Sequence, residues 1–148
     1  MNDEFSEFDG EGLEDHLPTR VYRWKDLDGE QAAELWAERF AWVSWFRRRY
    51  SVTGSDAVIP PCWYRHPVAV EELTALMVSH QSAYTLDEPG SELSAFHVQW
   101  LWLTLRGLAE RAGYKRCTDV KCSFKAPEVV DDPGGLEEWI SDDIASRH

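Results

Sequence analysis

Read at about 100° per residue, the stretch from Gly29 to Tyr50 gathers Ala32, Leu35, Trp36, Phe40, Trp42, Val43, Phe46 and Tyr50 into one arc of about 160°. Glu34, Glu38, Arg48 and Arg49 fall mostly opposite, so the pattern predicts an amphipathic core helix. Asp28 followed three residues later by Gln31 predicts a capping box at its start. Trp45 falls on the polar side of the wheel, which marks it as an interface candidate unless a loop or an acidic end folds over it.

A second helix is predicted from Pro67 to about Tyr84, with Glu71 and Glu72 in its first turns, where negative charge suits the helix dipole. Its Leu73, Leu76, Met77, His80 and Tyr84 share a face. A break over 85–90 leads to Ser91, a plausible cap for a third helix that ends near Gly113. On that helix only Glu92, Gln99, Arg106 and Glu110 form a strongly polar stripe, which predicts burial on more than one side. Its second face, Val98, Trp102 and Leu105, then packs either inside the bundle or on another protein. Residues 114–125 read as a short hairpin or an irregular loop, and Leu136 to Ile144 as a short helix.

The fold class that follows is all-α, a three-helix bundle with a short C-terminal fourth helix and acidic flexible ends. Within the 148 residues, this divides into an acidic tail over 1–18, a helical domain over 19–125 and an acidic C-terminal segment over 126–148. All tryptophans except Trp45 are expected to be mostly buried.

The net charge of −12 belongs to the ends. Residues 1–18 carry seven acids and no Lys or Arg, and 126–148 carry seven more against Arg147 alone. The remaining 13 acids and 14 Lys or Arg leave 19–125 at +1. Acidic ends solubilise, screen the chain's own basic clusters, or imitate nucleic acid toward a partner. An odd count of three cysteines, no apolar leader near Met1 and no long apolar span predict a reduced, cytoplasmic protein without a membrane anchor.

Chemistry concentrates in Pro60, Pro61, Cys62, Trp63, Tyr64, Arg65, His66 and Pro67, a stiff connector whose prolines fix the backbone and open the second helix. Its Trp63 and Tyr64 are expected to plug the core while Arg65 stays wet. Cys62 and His66 have three residues between them, Cys117 and Cys122 have four, and the pairs make a tetrahedral metal site if the later loop folds back on the connector. The spacing lacks the tighter Cys-x-x-Cys knuckle, so the expectation is no cofactor, with zinc the alternative. On that expectation Cys62 wedges under Trp63 and the other two thiols sit in a separate loop.

His66 and His80 fall on one face of the second helix and His97 beside the apolar face of the third, positions typical of hydrogen-bonded core histidines. No nucleophile elbow, phosphate-binding glycine loop or His-Glu-x-x-His pair accompanies them, and no enzyme is expected. The cations of Arg47, Arg48 and Arg49, and those of Lys115, Arg116, Lys121 and Lys125, are the candidates for phosphate contact, weak and salt-dependent in so acidic a chain.

From Ala32 to Tyr84 the tryptophan-rich helix, the Ile59 to Pro67 connector and the Glu71-Glu72-Leu73-Thr74-Ala75-Leu76 helix together resemble a family of small uncharacterised actinobacterial proteins. They are found on conjugative elements, plasmids and phages. The resemblance implies a cytoplasmic accessory protein of a mobile element and brings no catalytic residues. The leading expectation is therefore a non-enzymatic module that binds a protein partner or itself through Trp45, Arg48, Arg49, Val98, Trp102 and Leu105. The alternative is a small nucleic-acid-associated protein whose basic loop after the third helix is zinc-organised and regulated by the acidic ends.

Overall fold

The computed structural model describes residues 22–50, 52, 57–85, 87–88 and 90–147. The acidic tail over 1–18 and the turn expected at Thr53–Asp56 lie outside them. The fold is all-α. Helix α1 spans Gly29–Arg49 and α2 spans Pro67–Tyr84. Glu92–Ala95 (α3), a π-helical stretch at Phe96–Leu101 and Trp102–Arg111 (α4) follow one another as the third arm of the bundle. The last helix, α5, spans Pro133–Ser146.

Local chemistry sets these boundaries. Asp28 accepts from the Gln31 backbone N–H while the Gln31 side chain accepts from the Asp28 N–H, the capping box expected at the start of α1. Pro67 occupies the first turn of α2, where its missing N–H costs nothing. Ser91 precedes α3 but its side chain makes no capping hydrogen bond, contrary to expectation. The end of α4 is a Schellman turn: Gly113, at φ 70°, lets its own N–H reach Glu110 O and the Tyr114 N–H reach Ala109 O. That left-handed residue reverses the chain and sends residues 114–125 back toward the start of α2.

The core is built from Val43, Phe46, Leu73, Phe96, Leu101 and Leu108 and their neighbours, with Ile59 and Trp63 of the connector closing it. Trp63 is buried as expected, but Tyr64 is exposed. The tryptophans depart from expectation more widely. Only Trp63 is fully buried, and Trp36, Trp45, Trp100, Trp102 and Trp139 are exposed. Large indoles are rarely buried completely, and here Trp24 and Trp42 pack at the edge of the core while the Trp36 ring lies tilted against those of Trp24 and Trp63 at 4.6 and 6.2 Å. Phe40, assigned to the apolar arc, is 62% exposed, whereas Arg39 is fully buried.

Leu105 is likewise a correction: it is buried with Leu101 and Leu108 and cannot meet a partner, while Val98 and Trp102 are exposed. The π-helical stretch holds more residues per turn than an α-helix, so a wheel drawn at constant pitch loses phase through it. Helix α5 carries no buried residue, and its stripe of Leu136, Trp139, Ile140 and Ile144 is open. No helix among the described residues is long and apolar enough to cross a membrane.

Candidate metal centre

The two halves of the connector and loop meet at the N-terminal end of α2. Cys62 precedes a single 3-10 turn, Trp63–Arg65, and that turn carries His66 onto the N-cap position of α2, fully buried. From the other side, the Gly113 turn returns the chain so that Cys117 and Cys122 face the same imidazole. One ligand atom from each of Cys62, His66, Cys117 and Cys122 lies within 4.8 Å of all the others. Cys62 is thus not wedged under Trp63, and Cys117 and Cys122 are not in a separate loop. The helix-end reversal at Gly113 overrides the inference from knuckle spacing.

Distances decide what such a cluster can do. A tetrahedral centre with metal–sulfur bonds of about 2.3 Å and a metal–nitrogen bond of about 2.0–2.1 Å has sulfur-to-nitrogen edges of about 3.5–3.6 Å. His66 Nε2 lies 3.7, 3.5 and 3.5 Å from the sulfurs of Cys62, Cys117 and Cys122. The three nitrogen-to-sulfur edges therefore match those of a metal tetrahedron, and the four side chains are close enough together to hold an ion.

The surroundings prepare the ligands. His66 Nδ1–H donates to Ala112 O at 2.8 Å, a carbonyl left over at the end of α4, which leaves the Nε2 lone pair aimed at the sulfurs. The rings of Tyr114 and Phe124 stand edge-on to the imidazole at 5.6 and 5.1 Å and limit its rotation. The Ser123 N–H donates to Cys117 Sγ at 3.2 Å, and the Phe124 backbone N–H lowers the Cys122 thiol below its ordinary range. Cys62 moves the other way: burial, then the Cys122 and Cys117 sulfurs, push it up to about 12. Crowded thiolates repel one another, and a divalent cation is what relieves that repulsion. Beside the cluster, Arg111 donates from Nε and Nη2 to the two oxygens of Glu72 at 2.7 and 2.6 Å, fastening the end of α4 to α2.

The other predicted residues fall elsewhere. Lys115, Arg116, Lys121 and Lys125 are all exposed on the loop that carries the two later cysteines, and Arg65 is exposed beside Cys62. Trp45, Arg48 and Arg49 are exposed near the C-terminal end of α1, Val98 and Trp102 on the third arm. Two further features shape the site and the core beside it. One is the backbone supply of hydrogen bonds to the ligands from Ala112, Ser123 and Phe124, which residue types cannot reveal. The other is Arg39, whose Nε donates to Thr74 Oγ1 at 3.1 Å and whose Nη1 contacts Met77 Sδ at 2.7 Å. Its place four residues after Leu35 and four before Val43 marked it as a core position.

No family model, curated protein or solved structure matches the chain.

Proposed function

We propose that this chain is a non-enzymatic, structural-zinc protein whose metal pins a basic loop for contact with nucleic acid. The observation that carries the reading is the convergence of Cys62, His66, Cys117 and Cys122 within 4.8 Å of one another, with His66 Nε2 3.5–3.7 Å from each sulfur. Three soft sulfurs and one imidazole suit zinc, and four protein ligands leave no open position for a reacting water, which favours a structural over a catalytic role. Pinning matters because residues 115–132 form no helix or strand of their own. Without an anchor, ordering Lys115, Arg116, Lys121 and Lys125 around a phosphate backbone costs conformational entropy at each contact. With zinc in place the cations are held on one short, fixed loop, joined by Arg65. The resemblance of the connector supplies a setting, a cytoplasmic accessory protein of a mobile genetic element.

A band-shift series on the full chain at low salt tests this. Lys115→Ala, Arg116→Ala and Lys121→Ala should each weaken binding to short oligonucleotides, and removing about three phosphate contacts should flatten the log–log salt slope by about 2–3. Unchanged binding in the triple variant sinks the reading.

A second reading has its own support. Val98 and Leu103 are 73% and 63% exposed on the third arm, with Trp100 and Trp102 near them in sequence, which suits a protein partner or self-association. Light scattering of the wild type and of a Val98→Asp variant checks it, a strict monomer in both counting against self-association.

A further inference from the structure

The end of the bundle opposite the metal cluster holds a cleft of about 560 Å³, lined by Trp45, Arg49, Tyr50, His80, Tyr84 and His97. That volume lies within the span of about 300–1,000 Å³ common for small-molecule sites. Its floor is His80, whose ring sits 5.3 Å from Trp45, 4.7 Å from Tyr84 and 5.3 Å from the buried Phe96. One wall is locked. His97 Nδ1–H donates to Leu93 O at 2.6 Å, so its Nε2 accepts from the Tyr50 hydroxyl at 3.0 Å, and the two rings stack at 27°. The π-helical stretch that starts at Phe96 presents His97 here, and such widened turns recur at functional sites.

The remaining groups keep surface or polar atoms available to a ligand. Trp45 and Tyr84 are 44% and 56% exposed, so each aromatic residue keeps accessible surface at the cleft. Among the described residues, no protein group hydrogen-bonds a ring nitrogen of His80 and no carboxylate pairs with Arg49. Arg49 closes a run of three arginines that outweighs the partial negative charge of the α1 C-terminus. The cleft thus combines flat aromatic surfaces, an imidazole edge able to donate or accept, and a free guanidinium at the mouth.

We propose that this cleft is a nucleotide site, in which a base stacks on Trp45 and Tyr84 over the His80 ring while its phosphate meets the Arg49 guanidinium. A heteroaromatic ring uses both the stacking faces and the imidazole edge, which a plain phenyl ring does not, and the phosphate uses the cation. The source is either a free nucleotide or the end of a single strand. The site lies a full length of α2 from the loop that bears Lys115 and Arg116, so it stands whether or not that loop binds nucleic acid.

Calorimetric titration of the full-length protein with AMP, adenosine, phenyl phosphate and a short 5′-phosphorylated single strand tests the assignment. AMP should bind about tenfold or more tightly than adenosine or phenyl phosphate. Arg49→Gln should remove that advantage over adenosine and Trp45→Ala should weaken both ligands, charge-assisted contacts and base stacking each being of that size. Both residues are exposed, and unchanged circular dichroism verifies folding of the variants. A strand that binds more tightly than AMP identifies a strand end, and the reverse order a free nucleotide; either supports the site. No heat at millimolar AMP, phenyl phosphate binding as tightly as AMP, or loss of AMP binding in Lys115→Ala/Arg116→Ala overturns it.

Discussion

On the proposal that the cluster holds zinc, removing the metal, or one of its ligands, should loosen the molecule by an amount that chain entropy sets. An ion bridging Cys62 and Cys122 closes a loop of about 60 residues, and a cross-link over that length removes about 4 kcal/mol of unfolded-state entropy by the loop-closure model. Ligand bond energy adds to this, since structural zinc sites contribute more in total. For a chain of this size about 4 kcal/mol corresponds to a fall in melting temperature of about 10–15 °C. The assay is thermal unfolding followed by circular dichroism, with and without excess chelator, on the wild type and on Cys122→Ser. The wild type should lose those degrees on chelation, and Cys122→Ser should start near the chelated value and respond little to chelator. A wild-type melting temperature that moves less than about 2 °C on chelation would refute the reasoning.

Other outcomes follow from the same geometry. Thr74 Oγ1 accepts from Trp24 Nε1 at 2.9 Å and from Arg39 Nε at 3.1 Å, so Thr74→Val should cost about 2–4 kcal/mol in urea unfolding. Arg39→Met, which removes the buried charge and keeps the volume, should stay within about 1 kcal/mol of wild type. Gly113→Ala should cost about 1–2 kcal/mol, because the space around a Cβ is open and only the left-handed backbone resists. Burial, then His97, lowers the His80 pKa below its usual 6.5. The unfolded chain therefore binds the proton more readily, and stability should fall as pH drops below about 6.5, a loss that His80→Gln should reduce in urea melts across that window. Deleting residues 1–18 and 126–148 moves the charge from −12 to about +1, and band shifts at low salt should show a gain in nucleic-acid affinity if the acidic ends screen the loop.

Much of this architecture was legible in periodicity and punctuation. The Asp28/Gln31 box, Pro67 and Gly113 each marked a boundary through local backbone chemistry, which a sequence carries in full. What failed depended on distance in space. The wheel for the third helix assumed a constant pitch, and the π-helical stretch rotated Leu105 into the core. Hydrophobicity and wheel position predict buried indoles at every tryptophan but Trp45, whereas rings of that size are seldom buried completely, and Trp36, Trp100, Trp102 and Trp139 are exposed. Arg39 sat at a core position that its charge concealed. For the metal centre the four ligand types were visible, but their meeting rests on the Gly113 reversal, the Ala112 carbonyl that orients His66 and the loop amides that reach the sulfurs. None of those leaves a trace in Cys and His spacing.

The central claim, that Cys62, His66, Cys117 and Cys122 together hold one ion, is tested most directly by metal content. Elemental mass spectrometry of the full-length protein purified without chelator, with protein quantified by amino-acid analysis, should give about one zinc per chain, and Cys62→Ser/Cys122→Ser close to none. A folded wild type that carries no metal, and takes up none when zinc is supplied, would contradict the account.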